Sequence, residues 1–316
     1  MVDLTTEFAD LRLKNPVMTA SGTFGYGQEF SQIIDLNRLG GLVVKGLSIE
    51  PMTGTRLPRL HETPSGMLNA IGLQNIGVHK FVSSKLPHLT RYQTKIFVNV
   101  FGYTTEDYVR VVEVLNESEG LAGYEINISC PNVKAGGMIY GADPQATYAV
   151  VKAIKHHSRR PVIVKLSPNV TDITVLAKAA QDGGADALSL INTLVGMSVD
   201  VETFRPRLGN IIGGLSGPAI KPLALRMVYQ VVQTVSLPVI AIGGIQNAED
   251  ALEYLLVGAK AIQIGTANFV DPKVPLKVIQ GLDELWPTTT PEGELEGDAS
   301  LIYGAASRIE MEANGI

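Results

Sequence analysis

The chain has 316 residues, 45% of them hydrophobic and only 18% charged, against about 25% charge in an average soluble domain, so a large buried core is expected. A net charge of −5, a pI near 5.6 and no basic run beyond KHHSRR at 155–160 leave no electrostatic footprint for nucleic acid. The single cysteine excludes an internal disulfide or a four-thiolate cluster, the start MVDLTTEFADLRLKNP lacks the pattern of a signal peptide, and no apolar run approaches the roughly 18 residues of a membrane span, so a cytoplasmic protein without a membrane partner is expected.

In chain order, short Val- and Ile-rich runs recur. They are NPVMTA (15–20), GGLVVKG (40–46), KIFVNVF (95–101), YEINIS (124–129), PVIVKLS (161–167), ALSLINT (187–193), PVIAIGG (238–244) and KAIQIGT (260–266). Helical patterns lie between most of them: 105–117, 143–157, 172–184 and 248–259. Several open on Thr or Asp and close on Gly, as helix caps do. Apolar strands alternating with amphipathic helices indicate a parallel sheet covered by helices. The predicted fold is a (β/α)8 TIM barrel with inserted loops over the C-terminal face of its strands. An open doubly wound sheet would normally carry G-x-G-x-x-G after its first strand, and none stands there. Two connections, 47–94 and 194–218, are longer than barrel loops require and are predicted to be functional. One domain is expected over 1–285, with 286–316 a tail containing a loop and a closing helix.

Barrel chemistry gathers where strands end, so the polar residue closing each run is the informative one. These residues are Ser21, Lys45, Asn99, Asn127, Lys165, Asn192 with Thr193, Gly243 with Gly244, and Gly265 with Thr266. A single lysine at a strand end more often keeps its head in water, but Lys45 and Lys165 point into the same predicted ring. Glycine pairs after the last two strands match the usual barrel phosphate site. A phosphate-bearing cofactor over lysines and asparagines, with no metal ligands, points to flavin mononucleotide (FMN), whose reduced ring a lysine would stabilise. His156 and His157 are adjacent and lack metal-ligand spacing, so they are read as surface residues. Arg56 and Arg59 are read either as solvent-facing or as reaching substrate or a subunit interface.

Cys130 directly follows the fourth run and opens the loop PNVKAGGMIYGAD. A lone cysteine is more often an inert buried hydrophobe. At a strand end, however, a thiol titrating near 8.5 is close enough to working pH to serve as a general base.

NISCPN with VKAGG, together with LNAIGLQN, VKLSPNV, INTLVGM, GGLSGPAIKP and IGGI, resembles the dihydroorotate dehydrogenases, specifically the class 1B catalytic subunits. The likeness spans roughly residues 3–280. It implies that Ser21, Lys45, Gly46, Asn99, Asn127, Lys165, Ile191, Gly217, Gly243, Gly244, Gly265 and Thr266 hold FMN. Dihydroorotate would be bound by Lys45, Asn69, Ala70, Ile71, Gly72, Leu73, Asn127, Asn192 and Thr193, with Asn132 a weaker addition. Cys130 would remove the C5 proton while the C6 hydride passes to flavin N5, giving orotate for pyrimidine biosynthesis. Electrons would reach NAD+ through a partner subunit carrying FAD and a [2Fe-2S] cluster, in a heterotetramer built on a homodimer. Class 1A, which reduces fumarate, is the alternative within the family. Outside it, the alternatives are a flavin-free barrel lyase or isomerase that would hold a substrate phosphate at the same glycines, and a non-catalytic binding subunit. Gly46 and the stretch WPTTTPEGELEGDAS after residue 285 depart from the expected family pattern.

Overall fold

The computed structural model describes residues 2–129 and 140–285. An antiparallel hairpin, Thr6–Phe8 against Leu11–Leu13, comes first. The barrel strands follow as β1 (Val17–Thr19), β2 (Gly41–Leu47), β3 (Lys95–Val100) and β4 (Gly123–Asn127). The remaining four are β5 (Val162–Lys165), β6 (Ala187–Leu190), β7 (Val239–Ile242) and β8 (Ala261–Ile264). All eight pair with their sequence neighbours in parallel, and β8 pairs with β1, so the sheet closes into a barrel. The predicted (β/α)8 fold is the observed one. Each run predicted as a strand supplies one stave.

The helices between and after the staves are α1 (Thr105–Asn116), α2 (Pro144–His157), α3 (Ile173–Asp182), α4 (Lys221–Val232), α5 (Ala248–Leu256) and α6 (Val274–Leu285). Four of their starts are fixed by short polar side chains that satisfy free backbone N–H groups. Thr104 and Asp107 form a reciprocal capping box at α1, while Asp143, Asp172 and Asn247 cap α2, α3 and α5. The buried faces of these helices join the outward-facing strand residues in one continuous core.

Inside the barrel a separate apolar cluster contains Met18, Val43, Phe97, Ile163, Ala187, Ile240 and Ala261, together with Phe8 and Leu13 of the hairpin. Phe8 stacks on Phe97 at 6.4 Å between ring centroids, so the hairpin plugs this end of the barrel. The sequence reading passed over the hairpin because three-residue strands carry too little alternation to register.

The two long connections are not merely loops. Leu60–Thr63, Gly66–Asn69, Leu194–Met197 and Ile212–Ser216 form one four-stranded sheet in which both insertions take part. The contact between them is antiparallel, Gly214 opposite Asn69 and Leu215 opposite Leu68. Glycine-rich GGLSG masked this strand, because glycine weakens the strand signal. A helical segment, 78–89, completes the first insertion.

Candidate functional site

The polar floor is built on the apolar plug. Two positions along a strand return a side chain to the same face, so the steps from Phe97, Ile163, Ala187 and Ala261 lead to Asn99, Lys165, Ser189 and Gln263. Lys165 and Asn99 are buried and face a cavity of about 650 Å³. Lys165 Nζ lies 3.5 Å from Glu125 Oε1, and Asn99 Nδ2 donates to the same oxygen at 2.7 Å. Lys45 sits where β2 loses register with β3, between Val44 and Leu47. Its backbone N–H donates instead to Gly25 O at 2.9 Å. No carboxylate among the described residues pairs with Lys45, and burial alone pulls its pKa below the usual lysine value. A partly buried, uncompensated cation facing a cavity is a receptor for negative charge. Gly46 is required by packing, since a Cβ there would lie 2.7 Å from Asn99 Oδ1.

At the other end of the cavity, Gly217, Gly243, Gly244, Gly265, Thr266 and Ser21 line the wall. Gly217, Gly243 and Gly244 have φ of 101°, 145° and 71°, conformations that glycine adopts freely. A Cβ on Gly244 would meet Lys221 Cβ at 2.7 Å and Gly217 O at 3.0 Å, so this loop packs directly against the start of α4. Nearby Gly22 is open, with only Lys45 Nζ within reach of an added Cβ, at 3.9 Å. Thr266 Oγ1 donates to Ser216 Oγ at 2.8 Å, tying the last stave to the inserted sheet. Lys221, the cation closest in sequence to this wall, is taken up by Asp250 and Glu253 at 2.5 and 2.8 Å.

The inserted sheet covers the cavity. Asn69, Ala70, Ile71, Gly72 and Leu73 line it, as do Asn127, Ile191, Asn192 and Thr193. Asn69 Nδ2 donates to Gly214 O at 3.2 Å, so the first insertion is oriented by the second. Gly72 and Leu73 take φ of 70° and 58° in succession. Asn192 Oδ1 accepts from the N–H of Thr193 at 2.8 Å, and Asn127 Oδ1 accepts from the N–H of Ser129 at 3.2 Å. The structure thus brings around one cavity every residue named above for FMN and dihydroorotate except Asn132. Asn132, Cys130 and the 286–316 tail lie outside the described residues. Ser129, whose carbonyl leads to Cys130, lines the cavity.

Three further residues escaped the sequence reading. Glu125 is fully buried beneath the floor. Its signal in the sequence is a lone acid at an inward position of YEINIS. Asn169 lines the cavity, donating to Thr193 O at 2.9 Å and accepting from the N–H of Val195 at 2.9 Å. Asn75 is buried and accepts from the N–H of Gly77 at 2.8 Å while donating to Leu73 O at 2.8 Å, which anchors the end of the 69–73 segment. The surface readings need refinement. His157 Nδ1 is 2.9 Å from Glu113 Oε1. Arg56 donates to Gly209 O and Arg59 to Thr53 O, Thr55 O and Gln74 Oε1, so both arginines brace the insertions. Among the described residues no His/Cys/Asp/Glu group suited to a metal ion occurs, and no helix is long and apolar enough to cross a membrane.

Comparison with known proteins agrees with this geometry. The family model described as dihydroorotate dehydrogenase matches residues 3–286. A protein of Geotalea uraniireducens named dihydroorotate dehydrogenase B (NAD(+)), catalytic subunit, is 55% identical over 281 residues, covering 89% of this chain and 92% of that one. A protein of the same name from Maridesulfovibrio salexigens is 55% identical over 285 residues, covering 90% and 93%. In fold, the chain is similar to the crystal structure of the Eimeria tenella DHODH in complex with ferulenol, with a TM-score of 0.74 at 21% identity, covering 89% of this chain and 83% of that one. A match across almost the whole barrel, together with relatives at this identity, establishes that the chain belongs to the dihydroorotate dehydrogenase family.

Proposed function

We propose that the cavity holds FMN and dihydroorotate together and that the chain oxidises dihydroorotate to orotate. Lys45 is the observation that carries this reading. It is a partly buried cation without a carboxylate partner among the described residues, placed between the glycine-lined wall and the asparagine-lined roof. The donor set fits the flavin: lysines and amides to meet ring carbonyls, an open backbone at Gly22, and the Gly243–Gly244 and Gly265–Thr266 pairs for the phosphate. Bound FMN would supply the two-electron acceptor.

The chain's own residues would bind, orient and deprotonate. Lys45 would hold negative charge, while Asn69, Asn127, Asn192, Thr193 and the 69–73 backbone would present donors and acceptors to a substrate rich in amide and carboxylate oxygens. Cys130 would take the C5 proton, the chain entering that residue from Ser129 in the cavity wall. The relatives' shared name couples them to NAD+ and to a further subunit, and on that basis we assign this chain a partner bearing FAD and [2Fe-2S], in a heterotetramer around a homodimer. The single thiol suits a cytoplasmic setting.

The test is anaerobic stopped-flow absorbance on the purified chain with FMN. Dihydroorotate should bleach the flavin, and neither fumarate nor NAD+ should restore it quickly without the partner. Rapid recovery with fumarate would replace the class 1B assignment by class 1A. A chain that takes up no FMN would overturn the oxidoreductase reading and leave the phosphate-binding lyase.

A further inference from the structure

Below the cavity, Glu125 is a hub that the proposed chemistry does not touch. Its side chain is 0% exposed and does not line the cavity. Asn99 Nδ2 donates to Oε1 at 2.7 Å, while Ser189 Oγ and Gln263 Nε2 donate to Oε2 at 3.0 and 2.7 Å. Lys165 Nζ stands 3.5 Å from Oε1. Donors converging on both oxygens are what an ionised carboxylate, which only accepts, requires.

Two consequences reach the cavity. Because its nitrogen is committed to Glu125, Asn99 turns Oδ1 towards Gly46, so the carboxylate decides which end of that amide the floor presents. The charge of Lys165 is also met by an equal and opposite one in a low-dielectric setting, whereas no carboxylate among the described residues balances Lys45. We propose that Glu125 is the positioning residue of the floor, fixing Asn99 as an acceptor and cancelling Lys165, so that Lys45 alone among the described floor residues biases the bound flavin towards reduction. This inference rests on the flavin reading above. A merely structural ion pair would instead govern stability and leave the flavin untouched.

The test measures the midpoint potential of bound FMN at pH 6 in the holoprotein and in E125Q, K165M and the double variant E125Q/K165M. Glu125→Gln has a route to a paired network, because Gln263 Oε1 is buried without a partner among the described residues and a flipped Gln263 amide would accept from the new one. E125Q should favour the reduced flavin by at least tenfold, which is about 30 mV more positive for a two-electron couple. K165M should move it by a similar factor in the opposite sense, and the double variant should return to within about threefold of the parent, because opposite charges are removed in balance. Single variants that leave the potential in place, or that shift it in one common direction, would overturn the inference. If a single variant does not hold FMN, the double variant decides. A potential within threefold supports the proposal and a tenfold displacement refutes it. A parent protein that binds no FMN defeats the flavin reading itself, whereas a parent that binds it while the variants keep its potential defeats only the role of Glu125.

Discussion

Replacing Gly46 by alanine probes the floor with one methyl group. The added Cβ would stand 2.7 Å from Asn99 Oδ1, closer than real Cβ contacts occur, and Gly46 has no positive φ to complicate the change. Asn99 is 1% exposed and cannot swing into solvent, so relief comes from stretching its 2.7 Å bond to Glu125. A hydrogen bond to a charged group contributes about 1.5–3 kcal/mol. The lower entropy of the unfolded alanine chain offsets about 0.4–1 kcal/mol of that. The net expectation is destabilisation of about 1–2 kcal/mol, equivalent to a fall in Tm of roughly 2–8 °C for a domain of this size. Thermal unfolding followed by circular dichroism, with and without FMN, reads the effect. Asn99→Ala supplies the control, since with the amide gone the methyl has nothing to strike and the Gly46→Ala penalty should shrink by about 1 kcal/mol or more in a double-mutant cycle. Gly46→Ala at or above parental stability, or a penalty unchanged in the Asn99→Ala background, would refute the reasoning.

The remaining predictions concern the roof, the free cation and the thiol. Gly72→Ala is disfavoured by φ of 70° and by Thr55, whose Cγ2 and N would lie 2.5 and 2.7 Å from the new Cβ, so KM for dihydroorotate should rise about tenfold or more, as expected when positioning contacts slip, with FMN content unchanged. For Lys45, folded-state pKa is depressed by burial; between that value and the unfolded value of about 10.4 the unfolded chain binds more protons, so stability of the ligand-free protein should rise with pH across this window. Lys45→Met should abolish that rise in pH-dependent melting curves and raise Tm at neutral pH, while slowing flavin reduction by about 10²-fold or more through loss of an electrostatic contact. Cys130→Ser should lower the reduction rate by about 10²–10⁴, the range for a displaced general base, and move the rate's pH dependence upward, with dihydroorotate still binding in a titration of the flavin spectrum.

The barrel was legible because each stave is a near-continuous apolar run and four of the intervening helices, α1, α2, α3 and α5, announce their starts with a capping side chain. NPVMTA and KAIQIGT could be read as first and last staves, and the structure pairs them. Strand-end polarity was enough to assemble the floor, since a residue at the C-terminal end of a barrel strand has only one mouth to face. What could not be read was pairing between distant segments. Residues 66–69 and 212–216 carry no local mark of their partnership, and glycines 213 and 214 argue against a strand until the close approach of Asn69 and Thr193 supplies the reason for them. Glu125 escaped for a related reason. Its meaning lies in donors from four other staves, Asn99, Lys165, Ser189 and Gln263, and no one-dimensional spacing encodes that convergence.

This dependence of near on far has a consequence for how the site holds its substrate segment. Asn69 is fixed by Gly214 O, 145 positions away, and Asn169 holds both Thr193 and the strand beginning at Leu194. The roof is therefore made of two segments that are each incomplete alone, and ordering either one incurs a backbone entropy cost of about 1–2 kcal/mol per residue that the other helps to offset. Asn75 adds a local brace at Leu73 and Gly77, but none between the insertions. Floor and roof should consequently fail separately: substitutions at Gly46 or Glu125 act on flavin binding and potential, whereas Asn169→Ala, which unties the second insertion, should loosen the 69–73 segment at a distance. Its expected signature is faster amide hydrogen exchange over 66–73 together with a raised KM for dihydroorotate, at an unchanged flavin potential. Exchange confined to 193–197 would show instead that the first insertion is held in place by its own contacts.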